Sequence, residues 1–382
     1  MEEWKEYKLG DILNFRRGHD LPKSEMKAGD VPVAGSNGII GYHDTATPVS
    51  PCITIGRSGN VGTPYIYDKC WAHNTVLYID DFKGNNPLYL YYLLKTLPLS
   101  SFGGGSAVPT LNRNHIHPLL VHHTSNLKLQ ERIATFLKSI DDKIEVNRRI
   151  NDNLEQQAQS LFKSWFVDFE PFKDGEFVES ELGMIPKGWR VGNFMDYINV
   201  MPGGTPSTSV SEYWENGTIP FFSPKDVQGV YCFDTDKHIT NEGLSHCASK
   251  LYPKDTLFIT ARGTVGKIAL AAVPMAMNQS NYALETKEEK NGYYLYLLTQ
   301  TLVAVLLKKA NGAVFSAITT KDLNERVVFP PQNILSRFKE IVKPMFDNLH
   351  SMTRESRRLS EIRDTLLPRL MSGELKVNEI EN

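Results

Sequence analysis

The run LQERIATFLKSIDDKIEVNRRINDNLEQQAQSLFKSW occupies residues 129–165 and places apolar residues at alternating steps of four and three. This heptad spacing predicts a long helix whose apolar stripe packs against a second helix in a coiled coil. At 1.5 Å per residue the helix would span roughly 50 Å, well beyond an ordinary globular helix of about 12 residues. We expect this helix within residues 126–170.

The same alternation returns from Phe338 to Leu370 and predicts a second long helix over residues 332–371. Neither stripe can remain exposed to water, and each lacks another partner of matching length. We therefore expect the two helices to pack together, and a two-fold relation between duplicate modules would make the pair antiparallel. The predicted seam consists of Ile133, Leu137, Ile140, Ile144, Leu154, Leu161, Phe338, Val342, Met345, Leu349, Leu359 and Leu366.

Two kinds of residue interrupt the heptads. Asn147, Asn151, Ser356 and Arg363 stand at seam positions, either to fix the register at a cost in stability or because packing loosens near a helix end. Proline at 344 and 368 is expected to kink or end the second helix locally.

The helices belong to a larger duplication. Trp4 matches Trp189, Gly62 matches Gly266, and Ile133 matches Phe338, so one module of domain plus helix occurs twice. Solenoid repeats of roughly 20 to 50 residues are too short to explain this period. Two copies of one module imply two similar tasks at two places.

The fold class that follows is α+β, with two β-rich globular domains, two long helices forming an antiparallel coiled coil, and a pseudo-two-fold internal repeat. Short apolar segments separated by Gly, Asn and Pro clusters are typical of the β-rich parts. The predicted boundaries are 1–125 for the first domain, 126–170 for the first helix, 171–188 for a linker, 189–331 for the second domain, 332–371 for the second helix and 372–382 for a tail.

Composition excludes several classes of protein. The 382 residues carry a net charge of −2, which argues against non-specific coating of DNA. The four cysteines contain no Cys-x-x-Cys pair, so neither a zinc site nor a disulfide framework is indicated. The start of the chain lacks a signal-peptide pattern and no apolar run reaches membrane-spanning length, so we expect an intracellular protein.

Catalytic signatures appear only in part. Asn86-Pro87-Leu88-Tyr89 resembles the Asn-Pro-Pro-Tyr loop of adenine methyltransferases, but Leu88 replaces the second proline. Residues 263–268 resemble a phosphate-binding loop but have two residues between the glycines instead of four. The histidines at 115, 117, 122 and 123 favour a strand with exposed imidazoles over a metal site. We expect neither a catalytic residue nor a bound metal.

Loops rich in Gly, Asn, Ser and Arg suit binding, because small residues allow close backbone approach while the polar ones offer donors to bases and phosphates. Taken singly, such loops are usually tight turns. The loop Arg57-Ser-Gly-Asn-Val-Gly recurs as Arg262-Gly-Thr-Val-Gly, and this recurrence favours a binding role over a simple turn. The candidate DNA-binding residues are Arg16, Arg17, Ser36, Asn37, Arg57, Ser58, Asn60, Arg113, Lys225, Arg262, Thr264, Lys267, Asn278 and Gln279.

Three further stretches carry a family resemblance. LFKSWFVDFEPF at 161–172, ELGMIPKGW at 181–189 and LLPRLMSGEL at 366–375 resemble the specificity subunits of type I restriction-modification enzymes, as do GSNGIIG at 35–41 and IGRSG at 55–59. The resemblance covers essentially the whole chain. It implies two target-recognition domains, each reading half of a bipartite, asymmetric site in double-stranded DNA, with the helices as a ruler between them.

The resemblance also implies partners. Two methyltransferase subunits would methylate adenine N6 with S-adenosylmethionine, and motor-nuclease subunits would add ATP-dependent restriction. We therefore expect no cofactor on this chain, with S-adenosylmethionine, Mg²⁺ and ATP on partner subunits, no membrane partner, and a prokaryotic cytoplasmic location. Two alternatives stay open: a protein-assembly scaffold, and an enzyme centred on the histidines or on Asn86 and Pro87.

Overall fold

A computed structural model of the chain describes residues 4–103, 109–287, 291–309 and 317–377. The chain divides into two compact units, the first formed by residues 1–144 and 358–382 and the second by residues 145–357. This division cuts both long helices, whereas the predicted boundaries treat the helices as separate segments. Each unit is therefore a β-rich domain completed by pieces of both helices.

The first unit contains nine strands within the described residues. These are β1 Trp4–Lys8, β2 Asn14–Arg17, β3 Val31–Gly35, β4 Gly38–His43, β5 Cys52–Gly56, β6 Pro64–Tyr67, β7 Trp71–Ala72, β8 Val76–Asp81 and β9 Leu120–Thr124. The helices that begin in this unit are α1 Leu9–Ile12, α2 Pro87–Thr96, α3 Arg113–Ile116 and α4 Leu127–Phe166. The predicted first long helix is therefore α4.

The second unit repeats this order with additions. Its strands are β10 Phe177–Ser180, β11 Gly183–Pro186, β12 Arg190–Asn193, β13 Ile198–Pro202, β14 Ile219–Phe222, β15 Tyr231–Cys232, β16 His238–Ile239, β17 Leu257–Thr260, β18 Ile268–Ala271, β19 Ala276–Met277, β20 Asn281–Thr286 and β21 Arg326–Phe329. Its helices are α5 Phe194–Tyr197, α6 Asn241–Ser245, α7 Gly292–Lys309 and α8 Gln332–Ser372. The predicted second long helix is α8.

The sheets of the two units correspond. The first unit has a sheet of order β2-β8-β5-β6 and a sheet of order β4-β3-β7; the second has β13-β20-β17-β18-β15 and β16-β14-β19. In both units a two-stranded pair, β1-β9 or β12-β21, joins the two ends of the domain. The inner strands β5 and β17 are buried throughout, as expected for strands with neighbours on both edges and packing on both faces.

Helices α2 and α7 begin in the same way. Asn86 accepts a hydrogen bond from the N–H of Tyr89 at 3.0 Å, and Pro87 occupies the first turn, where its missing N–H costs nothing. Asn291 caps α7 through the N–H of Tyr294 at 3.1 Å. An asparagine cap therefore starts the helix in both units.

The long helices contribute to the core of each unit. In the first unit, α2, the start of α4 and the end of α8 share one buried cluster that includes Tyr89, Leu137 and Leu370. In the second, the ring of Phe166 on α4 lies 4.7 Å from that of Phe338 on α8 and 5.0 Å from that of Tyr294 on α7. Burial of these large side chains is the main stabilising contribution, at about 2 to 3 kcal/mol for each.

The helices pair antiparallel. Asn147 donates to Glu355 at 2.7 Å and Asn151 donates to Thr353 at 3.1 Å, so residue numbers fall on α8 as they rise on α4. Of the predicted seam residues, Ile133, Leu137, Ile140, Phe338, Val342 and Leu349 are buried, and Ile144, Leu154, Leu161, Met345, Leu359 and Leu366 are half-buried. Asn147 and Asn151 make these cross-helix bonds in the middle of the helices, which favours a role in register over looseness near an end.

Of the two effects expected of the prolines, a local kink or an end of the second helix, the end is wrong. Helix α8 runs unbroken through Pro344 and Pro368. Both prolines are exposed. Water can therefore satisfy the carbonyl oxygens that lose their usual N–H donors.

The cysteines also depart from expectation. Cys52 and Cys70 form a disulfide, whereas Cys232 and Cys247 are free. The absence of a disulfide, which the cysteine spacing predicted, is thus wrong for this pair. The cause is tertiary: β5 and β6 place Cys52 opposite Tyr67, and the chain then turns Cys70 back towards β5.

Candidate nucleic-acid interface

The loop at residues 57–62 joins β5 to β6. Gly59 and Gly62 have φ angles of +82° and +83°, a region open to glycine at little cost. The N–H of Gly62 donates to the carbonyl of Gly56 at 2.8 Å, and the N–H of Arg57 donates to Thr75 at 2.8 Å. These bonds hold Arg57 beside the residues that precede β8.

Four arginines line a depression of about 400 Å³ beside this loop. Arg16 and Arg17 end β2, Arg57 begins the loop, and Arg113 begins α3. They meet because β2, β8 and β5 are neighbours in one sheet, and because the N–H of Leu111 donates to the carbonyl of Arg57 at 2.7 Å. We call this site the arginine depression.

Among the described residues, no acidic side chain lines the arginine depression. Its other lining residues are Leu77, Thr110, Leu111 and Asn112. Burial, and then the charge of Arg17, lowers the pKa of Arg57. A cationic site of this kind suits an anion such as a phosphate group.

The loop at residues 261–266 of the second unit repeats the backbone frame. Gly263 and Gly266 have φ angles of +82° and +85°. The N–H of Gly266 donates to Thr260 at 2.9 Å and that of Ala261 donates to Ser280 at 2.8 Å. These bonds match those of the first loop one by one.

This frame corrects the alignment of the two loops. The sequence pairs Arg57 with Arg262, but Ala261 makes the backbone bonds that Arg57 makes, and Arg262 takes the place of Ser58. An isolated bridge joins Ser58 to Thr110 in one unit and Arg262 to Ala317 in the other. The aligned loops read RSGNVG and ARGTVG, so they differ at three positions.

Among the residues that the structure describes, the positions of the second unit equivalent to the four arginines carry no charge. A Cβ atom at Gly18 would collide with the carbonyl oxygen of His73, and a Cβ atom at Gly203 would collide with that of Asn278. Gly18 and Gly203 therefore occupy equivalent positions in the two units. The N–H of Ile318 donates to the carbonyl of Ala261, just as the N–H of Leu111 donates to the carbonyl of Arg57. The residues that follow Leu111 are therefore equivalent to those that follow Ile318. The residues equivalent to Arg16, Arg17, Arg57 and Arg113 are therefore Met201, Pro202, Ala261 and Thr320.

The candidate residues of the second unit are only partly available. Lys225, Arg262, Thr264, Lys267 and Gln279 are exposed, and Thr264 reaches the turn that carries Lys225 by donating to Pro224 at 3.4 Å. The side chain of Gln279 bonds to that of Thr205. The half-buried Asn278 already accepts bonds from Ser280 and Asn281.

The remaining candidates of the first unit divide similarly. Asn37 and Asn60 are exposed, and Ser58 is half-buried. Ser36 is buried and donates to the carbonyl of Thr75 at 2.6 Å. Its hydroxyl therefore positions the loop frame.

Sequence reasoning missed Thr110 and Asn112 in the lining of the arginine depression. Asn112 is exposed, and its side chain accepts from the N–H of Asn114 at 3.0 Å. A polar pair before a short helix is a common capping pattern, so the sequence carried no signal of a site.

A structural role accounts for one of the partial catalytic signatures. Asn86 is the cap of α2, and Asn291 repeats that role at the start of α7. Among the histidines, His123 is buried, so the expectation that all these imidazoles are exposed is wrong. In the described ranges no group of three His, Cys, Asp or Glu side chains could hold a metal.

None of the helices in the described part of the chain has the length and apolar character needed to cross a membrane.

The two units with a common loop frame define a duplicated recognition protein. The family model for the type I restriction modification DNA specificity domain matches residues 1–156 and again residues 186–361. The chain therefore belongs to this family, and it is a non-catalytic specificity subunit.

Named relatives agree with this assignment. The chain is 33% identical over 304 residues to the type I restriction enzyme MjaIX specificity subunit of Methanocaldococcus jannaschii, covering 76% of this chain and 70% of that protein. It is 27% identical over 365 residues to the EcoR124I/EcoR124II specificity subunit of Escherichia coli, covering 84% and 85%.

A solved structure shows the same fold. The S subunit of a type I restriction-modification system from M. genitalium superposes with a TM-score of 0.59 at 18% identity, covering 97% of this chain and 96% of that one. The predicted α+β class with two repeated domains and long helices is confirmed.

Proposed function

We propose that each unit reads one half of a bipartite, asymmetric site in double-stranded DNA. The observation that carries this proposal is the pair of loops at residues 57–62 and 261–266, which share a backbone frame but present different side chains. Equal frames place side chains at equivalent positions, and different donors select different base edges. The two half-sites would therefore differ in sequence.

Helices α4 and α8 would set the spacing of the half-sites and recruit two methyltransferase subunits, with motor-nuclease subunits completing a restriction enzyme. S-adenosylmethionine, Mg²⁺ and ATP would then act on those partner subunits. Family membership supports this assignment of partners. The complex would act on prokaryotic chromosomal DNA and would therefore be located in the cytoplasm.

The loops allow a matched chimera to test half-site reading. Ser58→Arg and Asn60→Thr together give the first loop the side chains of the second at the two differing positions outside the arginine depression, without changing either glycine. Wild-type and chimeric chains would each be expressed with a methyltransferase subunit from the same organism in cells that lack both. Methyladenine would then be mapped by sequencing the cellular DNA.

We expect the wild type to direct methylation to one asymmetric bipartite motif, and the chimera to change bases in one half of that motif only. A chimera that altered both halves would contradict the assignment of one unit to one half. Wild-type cells that contained no methylated motif, although the chain bound its methyltransferase subunit, would favour the scaffold alternative.

A further inference from the structure

We propose that the arginine depression holds the DNA phosphate backbone without regard to sequence, so that the first unit anchors the chain on DNA more strongly than the second. The inference rests on the proposed function, because it takes DNA as the ligand. It adds that two domains with the same fold differ in how strongly they hold the DNA backbone.

The electrostatics of the arginine depression favour an anionic ligand. Four guanidinium groups lie around one depression, and none of them forms an ion pair within the described ranges. Holding like charges together is unfavourable, and the lowered pKa of Arg57 reflects both its burial and its neighbour Arg17. A polyanion would relieve this repulsion, and a DNA duplex carries one negative charge per ~1.7 Å of its axis.

The geometry of the arginine depression suits contact with phosphate groups. Arg57 donates to the carbonyl of Asn74 at 3.4 Å, and Arg113 donates to the carbonyl of Phe15 at 3.1 Å, so the protein backbone holds two of the guanidinium groups. Arg16 and Arg17 are exposed at the end of β2. Arg113 is exposed as well, and Arg57 is half-buried. Exposed guanidinium groups beside ones that the backbone holds suit contact with adjacent phosphates, which positions a protein on DNA without reading its sequence.

The two units differ in charge at this place in the common fold. The equivalents of the four arginines are Met201, Pro202, Ala261 and Thr320, none of which carries a charge. The common frame therefore does not require these arginines for folding. Their presence in one copy alone indicates a task that the second unit does not share at this place.

The test measures binding of the full-length chain to a random-sequence DNA duplex by fluorescence anisotropy between 50 and 200 mM NaCl, a range over which phosphate contacts change affinity strongly (on the order of 10³-fold or more for many contacts). The test variant is Arg16→Gln with Arg17→Gln, both exposed residues. The control is Arg148→Gln with Arg149→Gln, which removes the same charge from exposed positions paired with Glu145.

We expect the Arg16 and Arg17 double variant to lower the slope of log K against log salt by about 2, since each phosphate contact contributes about 1. Binding at 100 mM salt should weaken roughly 10- to 100-fold. The control should leave the slope near that of the wild type. Equal slopes for the test variant and the wild type would overturn the inference.

Methylation mapping supplies the second readout. The arginine variant should lower the extent of methylation but leave the motif unchanged. A changed base in the motif would mean that these arginines read bases, which would also overturn the inference. Failure of the proposed function is separate, because it would remove the motif in the wild type while leaving the salt slopes measurable.

Discussion

Arg363 of α8 donates from Nη1 to Oδ1 of Asp141 on α4 across 2.6 Å, and both side chains are largely buried. Tyr92 of α2 donates to the other oxygen of the same carboxylate at 2.8 Å. Burial works against the charged form of Arg363, but its bonds to Asp141 and Asp364 outweigh burial and raise its pKa. Arg363, which interrupts the heptad pattern, thus forms a specific ion pair between the two helices.

Replacing Arg363 with Met should lower the free energy of unfolding by about 2 to 4 kcal/mol, because the carboxylate of Asp141 would stay partly buried with only Tyr92 as a donor. A double-mutant cycle with Asp141→Asn, followed by urea unfolding, measures the coupling between the two residues. We expect a coupling of about 1 to 3 kcal/mol. Additive effects would show that the pair contributes nothing to stability.

The seam provides a matched pair of substitutions. Ile144 is half-buried on the predicted stripe, whereas Val146 is 49% exposed two residues later. Ile144→Asp should destabilise the chain by about 2 to 3 kcal/mol because it places a charge without a partner in the seam, while Val146→Asp should stay within about 0.5 kcal/mol of the wild type. Urea unfolding followed by circular dichroism at 222 nm measures both. Equal losses would contradict the assignment of the seam.

The long helices were the most predictable part of the fold, because heptad periodicity is a local signal that needs no knowledge of the partner. The predicted range 332–371 differs from the observed Gln332–Ser372 by one residue. The sequence could not show that Pro344 and Pro368 stay within this helix, because that depends on which helix face meets water. The Cys52 and Cys70 disulfide likewise depends on how the strands pair.

The candidate site was harder to predict, because its register depends on hydrogen bonds between strands. Alignment by identical residues pairs Arg57 with Arg262. In the structure the N–H of Arg57 donates to the carbonyl of Thr75 and the N–H of Ala261 donates to that of Ser280, so the true equivalent of Arg57 is Ala261. Alignment by the positive-φ glycines gives the correct register. The arginine depression itself joins residues almost 100 positions apart, a proximity that no local pattern indicates.

The glycines of the first loop should differ in their tolerance of a side chain. Gly59 and Gly62 share a positive φ, which costs a non-glycine residue about 1 to 2 kcal/mol. A Cβ at Gly59 would meet nothing within 4 Å, whereas one at Gly62 would lie 2.5 Å from the backbone nitrogen of Ser100. Gly59→Ala should therefore cost about 1 to 2 kcal/mol and Gly62→Ala more than about 3 kcal/mol in chemical unfolding. Similar losses for both would mean that the Gly62 contact does not constrain the fold.

Stability should fall in mild acid because of His123. This residue is 2% exposed, its ring lies 5.2 Å from that of Tyr7 and 5.7 Å from that of Tyr89, and burial lowers its pKa to about 4. The unfolded chain takes up a proton near pH 6.5 and the folded chain only near pH 4. The contribution of His123 is therefore fully present above pH 6.5 and is lost as pH falls towards 4, by about 3 kcal/mol at most.

His123→Phe should remove this part of the pH dependence, since a neutral ring of similar shape cannot take up a proton. Within the described part of the chain, the Nδ1 atom of His123 has no hydrogen-bond partner to lose. His122→Phe at the exposed neighbouring position is the control and should leave the dependence in place. The measurement is the free energy of urea unfolding at half-unit steps from pH 4 to pH 7.5. If His123→Phe kept the full acid slope, the loss of stability would have to come from other groups, and the buried imidazole would not be its source.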